Sequence, residues 1–293
     1  MEKFDKSASS ATYRRYDFSY YGFIDYVENT PVSSDWEYVK SSHSDREKEW
    51  DLGAGYDGSM ALARDGWPEG TAMLKEAMID AHVQDYIDGP AWHTDIVGVR
   101  PIVPAALMGV PDSMLAYTPR PQTKPVQTID MYISVSHNTD SAVAVAHGAG
   151  IASIVDTIEM QGVSVELNAI VQSSGRYVTK QGAGVRTNNK RQTVSTAIRL
   201  KNSDQPMDLD VLSYAIIHPA FFRRQWFKWI ETHNEYYAGF NSGYGGCIFT
   251  PEKPDPDNYS IPTVRSSDSP DPAVRLAQLV DNYNAYTETG ESV

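Results

Sequence analysis

The feature that most constrains this chain is a strand, helix, strand run between residues 128 and 171. Residues 128–136 (TIDMYISVS) alternate Ile129, Met131, Ile133 and Val135, the pattern of a strand with one buried face. Residues 141–161 form an Ala-rich helix that ends at Gly162. Residues 163–171 (VSVELNAIV) alternate again. Strands joined through a helix of this length pair in parallel, because a parallel crossover needs about a dozen residues or more. The expected class is therefore α/β or α+β, a central sheet with packed helices.

The rest of the chain is read around that unit. Residues 193–201 (TVSTAIRLK) predict a third strand, and residues 173–192, with three glycines among Arg and Lys, a basic loop or hairpin. From Asp208 to about Tyr237 the chain reads as helical, with a kink at Pro219. Upstream, residues 57–64 predict a short helix with Asp57 as N-cap, stopped at Gly66-Trp67-Pro68, and a second helix runs from Thr71 to about Ile87. Residues 89–125 are punctuated by Pro and Gly and predict loop with short strands. Residues 250–272, rich in Pro, Asp and Ser, predict an extended linker, and a helix over 273–286 follows with Val274, Leu276, Ala277, Leu279 and Val280 apolar. That helix needs a surface to dock on, and docking between subunits predicts a homo-oligomer. The chain thus divides into a helical and loop-rich region (1–125), an α/β core with a basic loop (126–249), and an acidic linker with a C-terminal helix (250–293).

Composition narrows the setting. With one cysteine, Cys247, the 293 residues form no intrachain disulfide and no multi-Cys zinc site. No apolar run approaches the roughly 20 residues of a membrane span, and residues 1–18 lack the apolar core of a secretion signal. A cytoplasmic protein with no membrane contact is expected.

Catalytic signatures do not stand out. The sequence has no phosphate-binding Walker loop, no G-x-S-x-G elbow, no H-E-x-x-H and no dinucleotide G-x-G-x-x-G after a strand. Its seven histidines are scattered without ligand spacing, and Cys247 in SGYGGC reads as a structural thiol. No enzyme activity, cofactor or metal is expected. One strand end bears comparison with a metal site: Tyr132-Ile133-Ser134-Val135-Ser136 resembles the D-x-S-x-S run of von Willebrand factor A domains, with Tyr132 where the metal-binding carboxylate stands. That resemblance implies a metal-free adaptor binding another protein; the other reading is an ordinary α/β strand end.

The distribution of charge is more informative than its total of −13. Residues 173–230 carry ten basic and three acidic side chains, between acidic flanks. Arg176, Lys180, Arg186, Lys190 and Arg191 fall within sixteen residues, with Tyr177 among them. Arg199 and Lys201 follow, and residues 221–229 (FFRRQWFKW) interleave Arg223, Arg224 and Lys228 with five aromatics. Single-stranded nucleic-acid binders need cations that track phosphates and rings on which bases stack. Phosphate contacts are thus predicted at Arg176, Lys180, Arg186, Lys190 and Arg191, with Tyr177 stacking, and a second tier at Arg199, Lys201, Arg223, Arg224 and Lys228. The aromatics have a second reading: Phe222, Trp226 and Trp229 share one helical face, as a core stripe would.

Two motifs carry a resemblance: W-D-L-G-A-G-Y-D-G with A-R-D-G-W-P-E-G (residues 50–58 and 63–70), and I-H-P-A-F-F-R-R-Q-W-F (217–227). At these the chain resembles a family of uncharacterised bacteriophage-encoded proteins and, within that setting, the Drc-type single-stranded-DNA-binding RNA polymerase cofactors of podoviruses. The resemblance implies a fold unlike the OB-type binders, location in the host-cell cytoplasm, and recruitment of a phage RNA polymerase to melted promoters.

Overall fold

The computed structural model describes residues 2–3, 11–32, 51–80, 92–95, 100–101, 110–111, 113–117, 125–133, 141–181, 184–233, 246–247, 254–265 and 267–289. Ten strands are described: β1 (Glu2–Lys3), β2 (Ala11–Ser19), β3 (Trp92–Asp95), β4 (Arg100–Pro101), β5 (Met114–Tyr117), β6 (Val126–Tyr132), β7 (Ser164–Gln181), β8 (Gly184–Lys201), β9 (Gly246–Cys247) and β10 (Tyr259–Ile261). The main sheet has the order β1-β2-β8-β7-β6-β10, with β9 beside β7, and β3-β5-β4 form a small antiparallel sheet. In the main sheet β7, β6 and β10 are parallel, whereas β8 runs antiparallel to β7 and parallel to β2. This is a mixed, open sheet of α+β character, not a barrel.

The parallel unit follows the sequence pattern. Ile129 and Met131 of β6, and Val165, Leu167, Ala169 and Val171 of β7, are buried in the principal core. The connecting helix is Ser141–Met160, and fourteen of its twenty residues are buried. By length and composition that helix could cross a membrane, but here it is the central core helix. Its small residues set how closely others approach. A Cβ on Gly148 would lie 3.2 Å from Leu74 Cδ1, and one on Gly150 only 2.9 Å from Leu279 Cδ1.

Seven α-helices are described. In chain order these are α1 (Tyr20–Asn29), α2 (Gly55–Asp65), α3 (Pro68–Asp80), α4 (Ser141–Met160), α5 (Leu209–Ile217), α6 (Phe227–Thr232) and α7 (Pro272–Thr289). A wide, π-helical turn (Phe221–Trp226) joins α5 to α6 after the break at His218-Pro219, so the expected kink at Pro219 is where the helix divides. The expected cap Asp57 lies inside the first turn of α2. The N-cap position is Ala54, which has no side-chain cap, and Asp51 ahead of it accepts from Gly53 N at 3.0 Å and Gly55 N at 3.1 Å. Residues 81–87 and 234–237, expected to be helical, lie outside the described residues.

Two elements differ from the sequence expectation. Strand β2 was not foreseen, yet it pairs with β8 over nine residues. The C-terminal helix α7, expected between subunits, packs on α4 of its own chain with Leu276 and Leu279 fully buried. Tyr259 Oη donates to Leu279 O at 3.2 Å, tying that helix to β10, a short strand within the stretch read as linker. Leu276 and Leu279 of the apolar stripe of α7 are thus covered within the chain, while Val274 stays 44% exposed.

Candidate nucleic-acid interface

Strands β7 and β8 are each 18 residues long, far longer than their neighbours. Strand β6 pairs with β7 only up to Ile170, β9 meets it at Ser173 and Ser174, and β2 meets β8 from Arg191 onward. Beyond those points, among the described residues, β7 and β8 pair only with each other. The result is a two-stranded ribbon continuing past the sheet, with Gln181 paired to Gly184 at its tip. It resolves the expected loop or hairpin as a hairpin.

All five first-tier cations, and Tyr177, fall on this ribbon, and residues 175–192 contain no acid. In the register Arg176 pairs directly with Arg191 and Thr179 with Arg186. A shift between Arg176 and Val178 leaves Asn188, Asn189 and Lys190 opposite Tyr177, a bulge near the ribbon's base. Like charges directly opposite destabilise a strand pair, so an Arg–Arg rung favours an anion beside it.

The second tier lies elsewhere. Arg199 pairs with Glu166 at 2.9 Å and donates from Nε to Asn168 Oδ1 at 2.6 Å. Lys201 is buried, its Nζ 2.6 Å from Glu159 Oε1 and donating to Val165 O at 3.0 Å. Arg223, Arg224 and Lys228 are all buried on the π-helical turn and α6. Arg224 pairs with Asp51. These five cations are removed from the candidate surface. The excess of base in residues 173–230 therefore has two origins: cations buried or acid-paired in the body, and the ribbon.

Of the five aromatics in 221–229, Phe221, Phe222, Trp226 and Trp229 are buried and Phe227 packs against the same core. Phe222 stacks on Trp226 at 5.2 Å, and Trp226 Nε1 donates to Thr196 Oγ1 at 3.3 Å. The core reading of the stripe holds, and no base stacks there.

The two motifs of the resemblance meet in that core. Trp67 lies edge-on to His218 at 4.7 Å. Gln225 Nε2 donates to Ser59 Oγ at 2.9 Å, and Tyr214 Oη donates to Ser59 O at 2.8 Å. Burial holds His218 down to about 4, so its imidazole is neutral there.

A polar cluster on the sheet face opposite the helices was missed by sequence reasoning. Asp130, fully buried, accepts from Asn168 Nδ2 at 2.8 Å and Asn258 Nδ2 at 3.1 Å. Arg15, paired with Asp17 at 2.9 Å, reaches within 3.9 Å of Asp130. Its signal lay in the even positions of the alternating strands, where Asp130, Glu166 and Asn168 stand between apolar residues. The strand β6 ends at Tyr132; Ser134 and Ser136 lie outside the described residues, as do the side chains of Cys247 and of the ribbon. Among the described residues no three His, Cys, Asp or Glu side chains are grouped to hold a metal ion.

Residues 6–284 match the family described as Domain of unknown function (DUF7192). The chain belongs to DUF7192. Searches of curated proteins and of solved structures found no match. The DUF7192 match spans the ribbon, both halves of the Asp51–Arg224 contact and most of α7.

Proposed function

We propose that this DUF7192 chain is a non-enzymatic nucleic-acid-binding protein whose contact element is the β7–β8 ribbon. The observation carrying the reading is the segregation of charge. Five cations and no acid fall in the sequence of one ribbon, while the other five cations of the basic middle are buried or paired in the body. An acidic body disfavours indiscriminate association, so a basic arm becomes an attractive surface for a polyanion. The expectation of single-stranded DNA drew partly on residues 221–229 as stacking surfaces. With those in the core, only Tyr177 remains, and the proposal is made for the phosphate backbone. The resemblance in the two motifs supports a setting in bacteriophage transcription or replication, in the host-cell cytoplasm, with a phage RNA polymerase as protein partner.

The test is fluorescence anisotropy with labelled oligonucleotides over a salt series, comparing wild type with Lys190→Ala/Arg191→Ala. Loss of two phosphate contacts lowers the slope of log K against log salt by about 1.4–1.8. Absence of binding at low salt rejects the proposal.

A second reading is a metal-free adaptor of von Willebrand factor A type. It is supported by the parallel order β7-β6-β10, with the α4 crossover behind it. It predicts a protein partner and no nucleic-acid affinity.

A further inference from the structure

The ribbon's dimensions and residue types narrow its ligand further, and this inference rests on the nucleic-acid reading above. We propose that the β7–β8 ribbon enters the major groove of duplex DNA. Beyond Ser174 and Arg191 each strand continues for seven residues, 175–181 and 184–190, which at about 3.4 Å per residue is a ribbon roughly 24 Å long. A two-stranded ribbon fits the B-form major groove, about 12 Å wide, and not the minor groove of about 6 Å. Minor-groove arms commonly wedge an apolar side chain or proline between bases, and this tip reads Gln181-Gly182-Ala183-Gly184.

Three further observations favour the duplex. Single-strand binders rely on successive stacking rings, and the ribbon has one aromatic, Tyr177. The register shift at Asn188 and Asn189 increases strand twist, which suits a helical groove, and it brings two adjacent asparagines onto the ribbon. Asparagine pairs with adenine in the major groove. The Arg176–Arg191 rung and Lys190 stand at the ribbon's base, where the backbone flanks the groove. A-form RNA duplexes have a major groove too deep and narrow for such a ribbon.

The test uses the intact chain with a randomised 20-bp DNA duplex, the same pool as single strands, and an RNA duplex. The duplex DNA is expected to bind at least tenfold tighter than either alternative. Methyl green, a major-groove ligand, should displace the protein, whereas netropsin, which lies in the minor groove, should not. Asn188→Ala/Asn189→Ala should flatten the sequence preference recovered by selection from the pool while leaving the salt slope unchanged. Single strands binding as tightly as duplex, or displacement by netropsin alone, overturns the groove assignment and leaves the nucleic-acid reading standing. No binding to any of the three rejects both. Circular dichroism of each variant separates lost binding from lost folding, and Lys180→Ala/Arg186→Ala provides a second, independent variant on the ribbon.

Discussion

Arg224 Nε donates to Asp51 Oδ2 at 2.7 Å, and neither side chain is open to solvent. The contact spans 173 positions of sequence and joins the motif around Asp51 to the one around Arg224. A charge pair in a dry core is costly to break because the remaining ion has no water. Asp51→Asn should therefore destabilise the fold by about 3–5 kcal/mol in urea unfolding. Asp51→Asn/Arg224→Met, which removes both charges, should recover most of that loss. A double variant as unstable as the sum of its singles would mean that the two residues act separately.

The same motif holds its second constraint in Gly66-Trp67-Pro68-Glu69-Gly70. Gly66 closes α2 at φ 91°, a region that L side chains avoid, and Pro68 opens α3, where its missing N–H is harmless. A Cβ on Gly70 would fall 2.0 Å from the Trp67 ring, which is itself held against His218. Gly70→Ala should cost about 1–3 kcal/mol through overpacking. Thermal unfolding checks it, and a variant within 0.5 kcal/mol of wild type, about the scatter of a neutral surface change, would show that Trp67 can move aside.

On the ribbon, stability and binding should separate. Arg191 stands opposite Arg176, so Arg191→Glu converts a repulsive rung into an attractive one. The fold should be unchanged or gain up to about 1 kcal/mol, while nucleic-acid affinity falls by an order of magnitude or more at low salt. Concurrent loss of stability and binding would make Arg191 a structural residue instead.

How far the fold was legible depends on the range of each signal. The β6–α4–β7 unit was readable because its alternation and helical pattern are local. Strand β2 was not, since Tyr16 and Phe18 alternate with Arg15 and Asp17 over too short a run, and its pairing with β8 lies some 180 residues away. The docking site of α7 depends on Gly150, a complementarity between segments about 125 residues apart that neither segment displays alone. Counting cations found the ribbon, but a count does not distinguish Arg191 on the ribbon from Arg224 beside Asp51. Burial decides that, and burial is a property of the whole chain.

The α7–α4 contact carries a pH dependence. Arg275 donates from Nε and Nη2 to His147 Nδ1 at 3.0 and 2.9 Å, which requires a neutral imidazole. Burial, with the guanidinium beside it, holds His147 down to about 3 against an ordinary value of 6.5. As pH falls below 6.5 the unfolded chain binds a proton that the folded chain refuses. Stability from this site is complete above pH 6.5 and is lost progressively toward pH 3, at about 1.4 kcal/mol per pH unit. His147→Gln keeps an acceptor for Arg275 and removes the titration, so its unfolding free energy should fall less steeply between pH 6.5 and 4.5. The residual slope includes His218, held down to about 4 by burial. Parallel slopes for wild type and His147→Gln would show that the imidazole takes up its proton in the fold as readily as in the unfolded chain.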